Sequence, residues 1–270
     1  MTRNVAAELL VLRKRAATWI LFGIWMFLGI FFAYIVPYAL DASDVPRSLE
    51  EFFPESLAGT LIAEFPFFGG VFALMLGVFA LGSEYGWQTL KTLFTQRPGR
   101  LQVLAAKLAA LAIVLVAFVL ALFAAGAVTS YVIAQIEDAP VDWPSAWLLV
   151  RALAAGWLIL AVWAALGVLL GVLTRGTSLA IGIGILYALV IEGLLSNVSA
   201  LEPVTGIFLR PNGYSIATAL GTSVQDIESS GPGSFGGPFV DSVQAVAVLA
   251  AFIAAFAAIS ALLLRRRDVA

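Results

Sequence analysis

The sequence predicts an all-α integral membrane protein with six transmembrane helices and both termini in the cytoplasm. Three observations predict this fold class: an unusually apolar composition, six apolar runs of about membrane-spanning length, and an excess of basic residues in one set of connections. Hydrophobic residues make up 61% of the 270 residues and charged residues 12%, whereas an ordinary soluble domain carries roughly 25% charged residues. Most of the chain therefore has lipid as its solvent.

A transmembrane helix needs roughly 20 consecutive apolar residues, and six runs approach that length. The runs cover residues 19–38, 61–81, 103–134, 153–173, 178–195 and 243–264. Glu64 and Pro66 interrupt the first turn of the second run, and the third is long enough to extend beyond the hydrocarbon. Because no long stretch has the mixed composition of a soluble domain, we treat residues 1–270 as a single transmembrane domain.

Basic residues fall mainly in the connections on one side of the predicted spans, and cytoplasmic connections hold the excess of Lys and Arg. These residues are Arg3, Arg13, Lys14, Arg15, Lys91, Arg97, Arg100, Lys107, Arg175, Arg265, Arg266 and Arg267. The other side gathers most of the Asp and Glu residues. The pattern predicts a multi-pass protein of the cytoplasmic (inner) membrane. A cleaved signal peptide is the competing interpretation of the first run, but that run is longer than a typical signal-peptide core.

The residue types present exclude several classes of function. With no Cys and no His, disulfides, thiolate chemistry, the usual zinc sites and a Ser-His-Asp triad are excluded. The sequence has no Gly-x-x-x-x-Gly-Lys-Ser/Thr pattern for phosphate binding, and no basic soluble face for nucleic acid. We therefore expect neither an enzyme nor a nucleic-acid-binding protein, and no cofactor or metal bound by this chain.

Two segments on the predicted cytoplasmic side have helical patterns. Residues 5–12 are apolar and precede a basic cluster, which fits an N-terminal interfacial helix and equally an extension of the first span. In residues 83–100, Leu90, Leu93 and Phe94 share one face of a helix that Pro98-Gly99 ends. Such an apolar stripe fits docking into a groove of a soluble partner; the alternative is a helix that rests on the lipid surface.

The same connection carries a series of short motifs. In order, these are Glu84-Tyr85, Thr89-Leu90-Lys91, Arg97-Pro98, Arg100 and Lys107. The series, together with the six-span layout and the N-terminal segment, resembles the ABC-2 type permeases, the membrane subunits of bacterial ABC exporters. Many members have Gly before the Thr-Leu pair, where this chain has Gln88.

The resemblance implies that residues 83–100 contain a coupling helix that docks onto a separate ATPase subunit. The matching positions are Glu84, Thr89, Leu90, Lys91, Arg97 and Arg100. It also implies two copies of the ATPase, which would bind ATP and Mg²⁺, and a second permease copy that is identical or different. Leu93 and Phe94 join the predicted coupling surface because of their place on the apolar stripe.

The external connection, residues 196–242, is the longest. Short apolar pieces at 204–209 and 216–220 are separated by Arg210-Pro211-Asn212-Gly213, which predicts two re-entrant half-helices as in the permease family; an ordinary surface loop is the alternative. Glu192 lies well inside the fifth run, and an intramembrane carboxylate is costly. One interpretation is that Glu192 faces a substrate path; the alternatives are that it lies close to the outer water, is neutral, or is hydrogen-bonded within the bundle.

The leading functional hypothesis is the permease subunit of an ATP-driven exporter of an unidentified substrate. A non-transporting immunity, sensing or assembly subunit that engages an ATPase is one alternative. An ATP-independent carrier is the other, although such carriers usually show internal repeats and broken helices at the midplane.

Overall fold

The structure is a computed structural model that describes residues 2–41, 49–86, 99–192, 195, 206–224 and 239–266. Within these ranges the chain is helical and forms no strand. The α-helices are α1 (Thr2–Lys14), α2 (Ala16–Ile30), α3 (Val36–Asp41), α4 (Leu57–Ile62), α5 (Gly70–Gly86), α6 (Arg100–Ile136), α7 (Ala146–Thr174), α8 (Ser178–Leu186), α9 (Leu209–Thr218) and α10 (Ser242–Arg266). Short 3₁₀ helices at Leu49–Phe52 and Pro54–Ser56 precede α4.

Three π-helical turns interrupt the α-helical geometry. Phe31–Ile35 joins α2 to α3, Phe65–Gly69 leads into α5, and Tyr187–Ile191 extends α8. The rings of Phe32 and Phe68 stack, with centroids 5.7 Å apart, so the first two turns are neighbours. Nothing in the apolar periodicity of the sequence predicted these turns.

Five helices of the described chain are long and apolar enough to cross a membrane. They are Ala16–Ala39, Phe65–Tyr85, Arg100–Ile136, Ala146–Thr174 and Ser242–Arg266. The prediction of a multi-pass helical membrane protein is therefore confirmed, and these five helices coincide with five of the six predicted spans. The remaining predicted span, 178–195, contains the shorter apolar helix Ser178–Ile191.

The central helix is α7, which packs along α5 and also contacts α10, α6 and α8. Ser145 is the N-cap of this helix: its hydroxyl accepts a hydrogen bond from the Leu148 N–H at 3.2 Å. Such a side chain provides an acceptor for an N–H group of the first turn, which has no partner within the helix. The contact of α7 with α5 depends on glycine. A Cβ added to Gly167 would lie 2.1 Å from the Leu74 carbonyl oxygen, and one added to Gly77 would lie 2.0 Å from that of Ala164.

Contacts between helix ends define two ends of the bundle. Lys107 of α6 pairs with Glu8 of α1, and Arg100 donates a hydrogen bond to the carbonyl of Leu264 near the end of α10. We call this end, where α1, the end of α5, the start of α6 and the end of α10 meet, the basic end. The start and the finish of the described chain therefore lie at the same end of the bundle. The other end, which we call the acidic end, includes the exposed Glu137 after α6.

The connection that was predicted to be external, residues 196–242, differs from the prediction at one point. Arg210-Pro211-Asn212-Gly213 was predicted to separate two apolar pieces, but these residues begin α9, and residues 209–217 are all buried. Pro211 fits there because the first turn of a helix does not need its N–H. The interpretation of the whole connection as a surface loop is therefore wrong for α9. The apolar piece at 204–209 lies mostly outside the described residues.

Candidate functional site

The predicted coupling segment, residues 83–100, is described only at its two ends. The predicted site residues Thr89, Leu90, Lys91, Leu93, Phe94 and Arg97 lie outside the described residues. Glu84, in the last turn of α5, and Arg100, the first residue of α6, are described. The geometry of these two ends is therefore what the structure contributes to the site.

A buried ion cluster anchors the segment where it leaves α5. The Lys107 side chain is only 2% exposed, and its Nζ lies 2.8 Å from the Glu8 Oε2 and 2.5 Å from the Glu84 Oε1. Three separate parts of the chain, α1, α5 and α6, therefore meet at one cation. A buried charge is tolerated only when it is paired in this way.

Arg15 ties the junction between α1 and α2 to the same end of α5. Its guanidinium donates hydrogen bonds to the Phe79 carbonyl oxygen at 2.5 Å and to the Ser83 hydroxyl at 2.7 Å. Burial lowers the pKa of the Arg15 guanidinium, and the nearby carboxylates of Glu84 and Glu8 oppose this effect. Because an arginine side chain remains protonated in proteins, Arg15 stays a cation beside these two acids.

The other end of the segment is bound to the last span. The Arg100 Nη1 donates to the Leu264 carbonyl oxygen at 3.1 Å, and the carbonyls at the C-terminal end of a helix attract cations. We call Glu8, Arg15, Glu84, Lys107 and Arg100 the basic-end network. It connects both ends of the predicted coupling segment to α1, α6 and α10.

Glu192 lies at a second polar site, where the π-helical turn Tyr187–Ile191 meets the start of α9. Its buried carboxylate accepts hydrogen bonds from the Leu209 N–H at 2.7 Å, the Arg210 N–H at 3.0 Å and the Tyr187 hydroxyl at 2.5 Å. It thereby satisfies the first turn of α9 from a neighbouring helix, as a capping side chain and the helix dipole favour. This fits the hydrogen-bonded alternative; its place in a substrate path stays a prediction.

Arg210 completes this second site, and sequence reasoning did not find it. Its side chain is 1% exposed, donates to the Ala188 carbonyl oxygen at 3.3 Å, and lies over the Phe67 ring at 4.9 Å from the ring centroid. Stacking on an aromatic face stabilises a desolvated guanidinium. Arg210 looked like part of a turn in the sequence, because only the fold brings residues 67 and 188 to it.

Among the residues that the structure describes, no group of three or more His, Cys, Asp or Glu residues could hold a metal ion. The arrangement is instead one of ion pairs and helix caps between spans. These ion pairs and helix caps hold the helices together, as expected in a multi-pass helical membrane protein.

Comparison with known proteins gives the family. Residues 18–270 match the family model DUF2705, described as a protein of unknown function, and the chain therefore belongs to this family. No curated protein matches the chain.

Proposed function

We propose that this chain is the membrane-embedded permease subunit of an ATP-driven exporter of the ABC-2 type, and that residues 83–100 dock onto a separate ATPase subunit. The observation that carries the proposal is the basic-end network. It links Glu84 through Lys107 to α6 and α1, and it links Arg100 to α10, so that both ends of the proposed docking segment are held by other helices.

The network gives a route for mechanical coupling. A displacement of the docking segment would act on α5 through Glu84 and on α6 through Lys107 and Arg100. Glu8 would pass the same displacement to α1, and the Leu264 carbonyl would pass it to α10. Packed and hydrogen-bonded side chains transmit such a displacement better than exposed ion pairs, because a close-packed interior is hard to compress and passes strain to its neighbours.

A topological argument supports six spans. Because the described part of the chain starts and finishes at the basic end, it crosses the bundle an even number of times, and the five long helices among the described residues leave one crossing to find. Ser178–Ile191 with Glu192 is about 22 Å long at 1.5 Å per residue, short of the roughly 30 Å hydrocarbon core. The buried α9 fits as a re-entrant helix that fills the remaining depth, and the excess of Lys and Arg favours a cytoplasmic basic end.

In the proposed complex, the chain lies in the cytoplasmic (inner) membrane with both termini in the cytoplasm. Two ATPase subunits, with ATP and Mg²⁺, would work with this permease and a second permease copy, identical or different. The apolar core leaves the substrate unidentified.

The test is co-purification. We would co-express the tagged chain with candidate ATPase subunits and compare it with a Leu90→Asp/Phe94→Asp variant, which removes the apolar stripe. The matched control is Leu49→Asp/Ile136→Asp, because both of these apolar side chains are exposed and belong to the acidic end. We expect the parent and the control to retain an ATPase and the Leu90/Phe94 variant to lose it while it remains folded.

The other results would favour the alternatives. If no ATPase binds the parent, the permease proposal fails and an ATP-independent carrier becomes the better hypothesis. If the Leu90/Phe94 variant still binds an ATPase as well as the parent does, the docking surface is not the 83–100 segment. A bound ATPase without ATP-dependent export from vesicles would favour an immunity, sensing or assembly subunit.

A further inference from the structure

The two faces of α1 carry different charges. Glu8, the one acidic residue in α1, points inward to Lys107, and Leu12 on the same face is buried. The basic residues of α1, which are Arg3, Arg13 and Lys14, are all exposed. All the charged residues on the outward face of α1 are therefore cationic.

The basic triplet at the end of α1 divides between two roles. Arg15 is turned into the bundle, where it binds the Phe79 carbonyl and the Ser83 hydroxyl. Arg13 and Lys14 are directed outward beside Leu10, which is 49% exposed. Cations next to an exposed apolar residue are the pattern of a helix that lies in a membrane interface.

Trp19 indicates the depth at which this surface lies in a membrane. Its ring is 54% exposed, and its Nε1 donates to the Arg13 carbonyl oxygen at 2.7 Å, so that the ring is held against the end of α1. Trp side chains favour the headgroup level of a bilayer. Because Trp19 lies in the first turn of α2, a Trp19 ring at the headgroup level would bring Arg13 and Lys14 close to the lipid phosphates.

We propose that Arg13, Lys14, Trp19 and Leu10, which we call the α1–α2 corner, form a binding surface for an anionic phospholipid. Arg13 and Lys14 contact the headgroup, and Trp19 and Leu10 contact the glycerol and upper acyl region. The charge complementarity favours an anionic over a zwitterionic lipid, because the only acid of α1 is used inside the bundle. The inference is independent of any ATPase partner.

The test uses the full chain, which has no Cys, with a single fluorophore at Ala6→Cys, an exposed position of α1 one turn before Leu10, in vesicles of phosphatidylcholine containing one-fifth phosphatidylglycerol. Spin-labelled phosphatidylglycerol or spin-labelled phosphatidylcholine quenches the fluorophore. We expect phosphatidylglycerol to quench more strongly at equal concentration. In an Arg13→Gln/Lys14→Gln variant the preference for phosphatidylglycerol should fall by roughly 25-fold, since each of the two basic residues near a membrane surface contributes on the order of a fivefold factor.

The matched control is Arg265→Gln/Arg266→Gln, which removes two exposed charges from the last turn of α10 at the same end of the bundle. We expect this control variant to keep the preference for phosphatidylglycerol. We also expect high salt to weaken that preference in the parent. Equal quenching by the two lipids in the parent, or an equal loss in both double variants, would overturn the proposal. Circular dichroism and the unfolding midpoint of each variant establish that it is folded.

Discussion

Two acids, the partly buried Glu84 and the fully buried Glu192, show two different ways of holding a carboxylate in an apolar bundle. Glu84 is paired with a cation, Lys107, which it shares with Glu8. Glu192 is instead held by two backbone N–H groups at the start of α9 and by a tyrosine hydroxyl. The first arrangement joins helices through a cation that several segments share. The second makes the position of a short helix depend on one side chain.

This dependence gives a prediction at the residue scale. Glu192→Ala leaves the Leu209 and Arg210 N–H groups buried without their acceptor, at a cost of about 2–3 kcal/mol. We expect α9 to undock more often, so that a thiol at Ile216→Cys, a position that is 4% exposed, is labelled by a maleimide roughly 30- to 150-fold faster. The measurement is the labelling rate in membranes, where this thiol is the only one in the chain.

The control is Glu137→Ala. Glu137 also accepts a hydrogen bond from a tyrosine, Tyr38, but it is exposed and caps no buried helix. We expect labelling at Ile216→Cys to be unchanged in this variant. If Glu192→Ala and Glu137→Ala give the same rate as the parent, Glu192 does not hold α9 in place.

The sequence predicted whole helices better than it predicted the contacts between them. Long apolar runs are a local signal, and five of them coincide with helices of sufficient length. The start of α9 was missed because Pro and Gly are ordinarily turn residues. Its burial depends on residues distant in the sequence, such as Pro66, which lies against Gly213. The π-helical turns were missed because they do not change the apolar composition of a span.

The candidate site was predictable to the same limited extent. Glu84, Arg100 and Lys107 were identified as parts of one connection. Their partners were not, because Glu8 is 99 residues from Lys107 and Leu264 is 164 residues from Arg100. A sequence pattern carries no information about such distant pairs, although the charged Glu8 inside an otherwise apolar stretch was a signal that it needed a partner.

The contact between α5 and α7 gives a prediction at the element scale. Gly167→Ala places a Cβ 2.1 Å from the Leu74 carbonyl oxygen, and the backbone of a helix cannot shift as a side-chain tip does. We expect a loss of stability of about 1–3 kcal/mol, measured by unfolding in mixed micelles. The matched control is Gly182→Ala in α8, where an added Cβ meets nothing within 4 Å; it should be neutral or slightly stabilising, since Ala favours helix.

Equal changes in stability for the two substitutions would contradict this account, because the close contact at Gly167 would then contribute nothing beyond what Gly182, which lacks such a contact, shows. The comparison also measures how much the Gly167-x-x-x-Gly171 spacing is worth. In the sequence, this spacing is a common membrane-helix pattern of little specificity. In the structure, a Cβ added to Gly171 would lie 3.2 Å from the backbone nitrogen of Gly82.

At the scale of the whole molecule, the basic and acidic ends make the number of crossings testable. Both ends of the described chain lie at the basic end, so the short helix Ser178–Ile191 must carry the chain to the other side if the five long helices all cross. Arg175 precedes that helix, and Ile207, which is 53% exposed, follows it before α9. These two positions therefore distinguish six crossings from five.

We expect single thiols at Arg175→Cys and Ile207→Cys to be labelled from opposite sides of the membrane by an impermeant maleimide. Arg175→Cys should react from the cytoplasmic side, as should a thiol at Lys14→Cys, and Ile207→Cys should react together with Asp138→Cys from the outside. Right-side-out and inside-out vesicles provide the comparison, and detergent-solubilised protein gives the total reactivity of each thiol. Labelling of Ile207→Cys and Arg175→Cys from the same side would mean that Ser178–Ile191 does not cross. The even number of crossings would then require one of the long helices to lie outside the hydrocarbon, and the six-span permease layout would fail.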